Sequence, residues 1–129
     1  MKITLARKTL PPDAAMAPSQ GASVVFHGVV RELEDGLLIS GIDYSCYPSM
    51  AKRRLTALVE EARALFGHHG GAITHRVGFV AAGEPAITIK VQTERSDKAF
   101  EACRWYLQRI KQEVPIWKKP IFVESSDQA

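Results

Sequence analysis

Between Phe100 and Lys119 the chain reads FEACRWYLQRIKQEVPIWKK, an amphipathic run stopped by a proline. Phe100, Cys103, Tyr106, Leu107, Ile110 and Val114 recur at three- and four-residue spacing, which aligns them on one helical face. Pro115 lacks an N–H and disfavours helical geometry at Val114, so a helix has to end there. Ile116 and Trp117 then anchor an outgoing strand, with Lys118 and Lys119 directly behind. Lys111 falls between Leu107 and Val114, on the border of the apolar stripe. This spacing predicts that Lys111 and Lys118 converge on one concave spot beside an indole, a spot suited to a planar anion. A lysine whose stem lies on apolar surface with its head in water fits the same spacing.

A chain of 129 residues suits one domain with one core, spanning 1–129, with residues 1–20 as an edge strand and arm. At 46% hydrophobic and 24% charged residues, it has the composition of an ordered globular protein. No apolar run is long enough to span a bilayer, so no membrane partner is expected. Residues 1–20 carry no continuous apolar segment of signal-peptide type, which predicts a cytoplasmic protein. Without export, Cys46 and Cys103 are not expected to pair. The net charge of +3 favours an anionic partner. No basic run or aromatic RNA-binding signature accompanies it, so nucleic acid is not expected.

Met1 to Leu5 alternates weakly as an edge strand, and Pro11, Pro12 and Pro18 mark an arm. Ser23 to Val30 reads as a strand with Val24, Phe26 and Val30 on one face. Gly28 inside it signals a bulge or a close backbone approach. Arg31 stands at its end, Glu32 to Gly36 reads as a turn, and Leu37 to Tyr44 returns, predicting a hairpin. Pro48 fits the first turn of a helix whose apolar face is Ala51, Leu55, Leu58, Val59, Ala62, Leu65 and Phe66, capped by Gly67. Lys52, Arg53 and Arg54 fall in its first turns, where the helix dipole disfavours cations; an acidic partner or a solvated face both account for them.

His68, His69 and His75 have no cysteine or carboxylate at ligand spacing, so no metal is expected. Ile73, His75 and Val77 alternate as a third strand, Gly78 to Glu84 reads as a turn, and Ala86 to Thr93 as a fourth strand. Ser96 or Asp97 is placed to cap the long helix. The resulting order, β-β-α-β-β-α and a short terminal strand, predicts an α+β fold: a mostly antiparallel sheet with two main helices packed on it. No glycine-rich phosphate loop and no Ser-His-Asp or Cys-His arrangement is present. Reading the residues alone ends at a basic pocket near Arg31, Lys111 and Lys118.

Four stretches carry a resemblance. They are GASVVFHGVVR from Gly21 to Arg31, YSCYPSMA from Tyr44 to Ala51, HRVG from His75 to Gly78 with Gly83-Glu84 behind it, and Ala99 to Lys118 ending in KQEVPIWK. In this order and spacing, over roughly residues 21–119, the chain resembles the large, catalytic subunits of molybdopterin synthases, the MoaE family. The resemblance implies a MoaE-like α/β hammerhead and a sulfurtransferase with no permanently bound cofactor. Its substrate would be cyclic pyranopterin monophosphate, which receives two sulfurs as the dithiolene of molybdopterin. The sulfur would come as a thiocarboxylate on the Gly-Gly tail of a ubiquitin-like, MoaD-like small subunit. The implied assembly is a heterotetramer, a homodimer of large subunits with one small subunit at each end.

By motif position, Lys111 and Lys118 take the family's catalytic roles, and Arg31, Arg95, Lys111 and Lys118 its substrate-binding roles. Phe26, Arg31, Trp117 and Lys118 take the partner-tail pocket. The chain departs from the family where an Ala-His-Arg triplet is usual and Glu94, Arg95 and Ser96 stand instead. Pro120 also replaces a usual glutamate, ahead of the compressed tail IFVESSDQA. A non-catalytic paralogue that binds a ubiquitin-like subunit is the alternative these departures suggest. A generic anion-binding domain would leave the agreement of separate motifs without a reason.

Overall fold

The long helix forms as α2, Ser96–Glu113, and buries Ala99, Ala102, Cys103, Tyr106 and Ile110. These side chains are mostly small, so the helix lies close against the sheet beneath it. Phe100, placed on the apolar face by spacing alone, is 64% exposed. It sits one position round the helix from Ala99, and the buried stripe is centred on the alanine side. Ser96 and Asp97 occupy the first turn without capping it; Arg95 holds the cap position and makes no side-chain bond to the helix. Val114 ends the helix in extended geometry, as Pro115 dictates.

The computed structural model describes residues 1–7 and 18–124. Its elements in chain order are β1 Lys2–Ala6, β2 Ala22–Val29, β3 Leu33–Glu34, β4 Leu37–Cys46, α1 Pro48–Phe66, β5 Gly70–Arg76, β6 Gly78–Ala81, β7 Pro85–Thr93, α2 and β8 Ile116–Phe122. The expected α+β architecture with two main helices is present, and the strands divide into two sheets. The first has the order β1-β5-β7-β2, in which β1 runs parallel to β5 and the other pairs are antiparallel. In the second, β4 pairs with β3, β6 and β8, all antiparallel. Pro11 and Pro12 lie outside the described residues.

Two expectations need correction. The strand ending at Val30 and the strand starting at Leu37 do not form a hairpin: β2 pairs with β7, and only the two-residue β3 folds back on β4. The register shifts between Gly28 and Val29, which lets the chain leave the first sheet there. A Cβ on Gly28 would sit 2.6 Å from Cγ2 of Ile87, so Gly28 is also a close approach. Secondly, Gly78 to Glu84 is not all turn. Gly78–Ala81 is strand β6, whose Val80 is fully buried, and only the residues after it turn.

The main core joins both helices to the first sheet: Leu55, Leu58 and Val59 from α1, Tyr106 and Ile110 from α2, and Ile73, Ile89 and Val91 from the strands. A second, smaller core of Val30, Ile39, Ile42, Val80 and Ala86 binds the two sheets together. The helices are also laced by charge. Both guanidinium nitrogens of the Arg109 fork reach Glu61 at 2.7 and 2.8 Å, Arg109 also pairs with Glu113, and Arg54 meets Glu113 at 2.8 Å.

Gly67 caps α1 as expected, its N–H donating to the Arg63 carbonyl at 2.9 Å. Just beyond it, His69 is 98% removed from solvent and ties the end of α1 to α2. The Gly67 carbonyl can only accept, so His69 Nδ1 carries the proton at 2.8 Å and Nε2 accepts from the Tyr106 hydroxyl at 2.6 Å. Burial pushes the His69 pKa down, against a smaller opposing effect of the Gly67 bond. Burial lowers that of His75 in the same way. The fold thus binds the neutral rings, while an unfolded chain takes up protons near the ordinary histidine value of about 6.5. Stability is complete above that value and declines as pH falls below it. Melts between pH 7.5 and 5 should show a falling midpoint, with a shallower fall in His69→Gln. A midpoint indifferent to pH across this window would contradict the buried, neutral assignment.

Candidate functional site

The direction of α2 decides what meets what. The helix starts almost directly after β7, and Cys103 Sγ lies 4.0 Å from the Ile89 carbonyl halfway along that strand. It therefore returns antiparallel to β7, and its last turn, which carries Lys111, lies at the end where β7 begins. The outgoing end of β2 is there too. Val30 donates to the Glu84 carbonyl at 3.0 Å and accepts from the Gly83 N–H at 2.8 Å, and Arg31 follows at once. On β8, Lys118 stands opposite Tyr44, whose ring meets His75 edge-on at 5.1 Å. His75 in turn pairs with Ile87 near the start of β7. Arg31, Lys111 and Lys118 are thus brought to one end of the fold, and all three side chains are exposed. Lys111 lies further into solvent than its position on the stripe border suggests.

Arg95 is not brought to them. It precedes the first turn of α2 while Lys111 lies in the last, so about 24 Å of helix separates the two. The expectation of one shared cluster is corrected for a single chain. The expected tail pocket is likewise divided. Phe26 packs into the main core from the inner face of β2. Successive residues of a strand face opposite ways, so Trp117 and Lys118 point to opposite sides of β8. Trp117 packs edge-on against Tyr47 at 5.6 Å. Only Arg31 and Lys118 of that set share the cationic end.

Sequence spacing did not reveal how this end is braced. Arg76 Nη1 reaches Glu84 Oε1 at 3.4 Å, while its Nη2 donates to the carbonyls of Arg7 at 3.3 Å and Phe79 at 3.5 Å. The same Glu84 oxygen accepts the Ala81 N–H at 3.1 Å, closing the turn after β6. His75 Nδ1–H donates to the Arg76 carbonyl at 2.7 Å. The HRVG and Gly-Glu stretches are therefore one structural clamp that holds three strands and the outgoing end of β2 in register. Tyr44 lies above it, its hydroxyl held protonated because burial, and secondarily Glu34, push its pKa up.

Among the described residues the site offers cations and no activated thiol. Cys103 is buried in the main core and Cys46 is partly covered, and burial raises the pKa of both thiols. A thiol so placed has little thiolate near neutral pH. Among the described residues no group of histidine, cysteine, aspartate and glutamate is arranged to hold a metal ion.

Removing the Glu84 carboxylate should test the clamp. Glu84→Ala takes the acceptor from Arg76 Nη1 and from the Ala81 N–H, with an expected loss of about 1–3 kcal/mol in urea unfolding. A stability equal to that of the parent chain would show that the ion pair braces nothing.

The sequence profile of the family described as MoaE protein matches residues 5–113. A molybdopterin synthase catalytic subunit from Thermoplasma volcanium is 38% identical over 104 residues, 81% of this chain and 76% of that one. The chain spans 53% of the length of an Oryza sativa relative of the same description. The crystal structure of molybdopterin synthase from Staphylococcus aureus superposes with a TM-score of 0.83 at 29% identity, covering 96% of this chain and 92% of that one. A complex of subunits 1 and 2 of molybdopterin-converting factor from Helicobacter pylori contains a chain with a TM-score of 0.67 and 25% identity, covering 83% and 74%.

Proposed function

This chain belongs to the MoaE family, and we propose that it works as the large, catalytic subunit of a molybdopterin synthase. The observation that supports the reading is the placement of Arg31, Lys111 and Lys118 at one end of a fold in which one thiol is buried and the other partly covered. A site of that kind can hold an anion and move protons, and it has to receive its sulfur from outside. The donor is the thiocarboxylated Gly-Gly tail of a ubiquitin-like small subunit. The two-subunit complex from Helicobacter pylori supports such a partner. The acceptor is cyclic pyranopterin monophosphate, and no resident cofactor is needed.

Arg31 adds a fixed positive charge, and a guanidinium can share in binding the anionic group of that substrate. Lys111 and Lys118 supply compact charge, and either can act as general acid or base when it touches the reacting atoms. Arg95, at the far end of α2, reaches the same substrate only from a second copy of the chain, which fits a homodimer within a heterotetramer. No helix among the described residues is long and apolar enough to cross a membrane. The reading places the work in the cytoplasm.

Lys111 is the most direct test. Its side chain is exposed, so Lys111→Ala should cost less than about 1 kcal/mol of stability. Single-turnover conversion of the cyclic precursor with thiocarboxylated small subunit should fall roughly 100-fold or more. Lys111→Arg should not rescue it, because guanidinium stays protonated and differs in shape. Near-normal turnover in Lys111→Ala would remove the residue from catalysis. A parent chain that binds the small subunit but converts nothing would favour the non-catalytic paralogue.

A further inference from the structure

One cation at the same end was not part of the expected set. Arg7 directly follows β1, and its backbone is fixed: Arg76 Nη2 donates to its carbonyl at 3.3 Å, and Val77 N–H donates to the Ala6 carbonyl at 3.1 Å. Its guanidinium reaches over β6, with Nη1 3.2 Å from where a Cβ on Gly78 would stand. Gly78, at φ +85°, leaves that space open. Gly78 pairs with Tyr44, and Tyr44 pairs with Lys118, so the three form one row across β6, β4 and β8. Two strand spacings, about 10 Å, separate the ends of that row. Opposed residues of an antiparallel pair project to the same face, which puts the Lys118 and Tyr44 side chains on one side of the sheet.

The row is therefore closed by a guanidinium at one end and an ammonium at the other, with a phenol between. All three groups donate hydrogen bonds. Arg76, next to Arg7, is occupied by Glu84, whereas among the described residues no carboxylate pairs with Arg7. We propose that Arg7, Tyr44 and Lys118 form a phosphate subsite, which takes the phosphate of the small anionic substrate. The assignment of that phosphate to the synthase substrate rests on the function proposed above. The subsite itself rests on the row. Arg7 and Tyr44 thereby become substrate-positioning residues beside Arg31, Lys111 and Lys118.

The experiment titrates the full chain with inorganic phosphate at constant ionic strength, followed by NMR chemical shifts. Arg7→Ala should weaken phosphate binding about tenfold, the scale of one charge-assisted hydrogen bond, and Arg7→Lys should restore part of the loss. Tyr44→Phe should weaken it less. The bond from Arg76 goes to the Arg7 carbonyl, which every variant keeps, so the melting midpoint of Arg7→Ala should match the parent. Phosphate affinity unchanged in Arg7→Ala overturns the subsite. The synthase assay separates the two proposals. A chain that binds phosphate through Arg7 but never converts the cyclic precursor overturns the synthase reading and supports the subsite. A converting chain whose phosphate affinity ignores Arg7 does the reverse.

Discussion

The cationic end depends on where α2 stops. The helix buries a narrow stripe of small side chains on β7 and β2, so its axis is held close to the sheet and its direction is fixed. Pro115 then denies it another turn and hands the chain to β8. A helix one turn longer would leave Lys111 where it is but begin β8 out of register with β4. The pairing of Lys118 with Tyr44, and of Ile116 with Cys46, follows from that stop. The clamp of Arg76 and Glu84 fixes the other side of the same end, where β2, β5 and β6 meet.

Helices were the most legible part of the sequence because their signals are local. The spacing of Leu55, Leu58, Val59 and Ala62, the Pro48 start and the Gly67 cap lie within one segment and need no knowledge of the rest. Strand pairing is non-local. Val24 and Phe26 announced a strand with a buried face, but nothing near them named β7 as its partner, and chain order suggested β4 instead. Gly78 and Gly83 read as turn residues, yet Val80 between them fills the second core. The short β6 became visible only through its pairing with β4.

The site divides along the same line. Arg31, Lys111 and Lys118 were named from residue type and motif, and strand pairing and the direction of α2 put them at the end of the fold where β7 begins. Arg95 failed to join them because motif position says nothing of helix length. Trp117 was separated from Lys118 by strand alternation, which follows once β8 is known to be regular rather than a loose tail. The residues missed were those that brace or extend the site through distant contacts. Arg76, Glu84 and Arg7 come from three separate stretches, and their association is set by the parallel pairing of β1 with β5. Exposed cations, with one thiol buried and the other partly covered, give the site a receptive chemistry. It can position and protonate, but it must be supplied with sulfur.

The central claim is that substrate sits at the C-terminal end of α2, among Arg31, Lys111 and Lys118. A crystal structure of the chain with its small subunit and the cyclic precursor tests it most directly. Phosphate oxygens should lie within hydrogen-bond distance of Arg31 or Lys118, with the ring system beside Lys111. A precursor held instead at the N-terminal end of α2, contacting Arg95 of the same chain and none of these three, would contradict it.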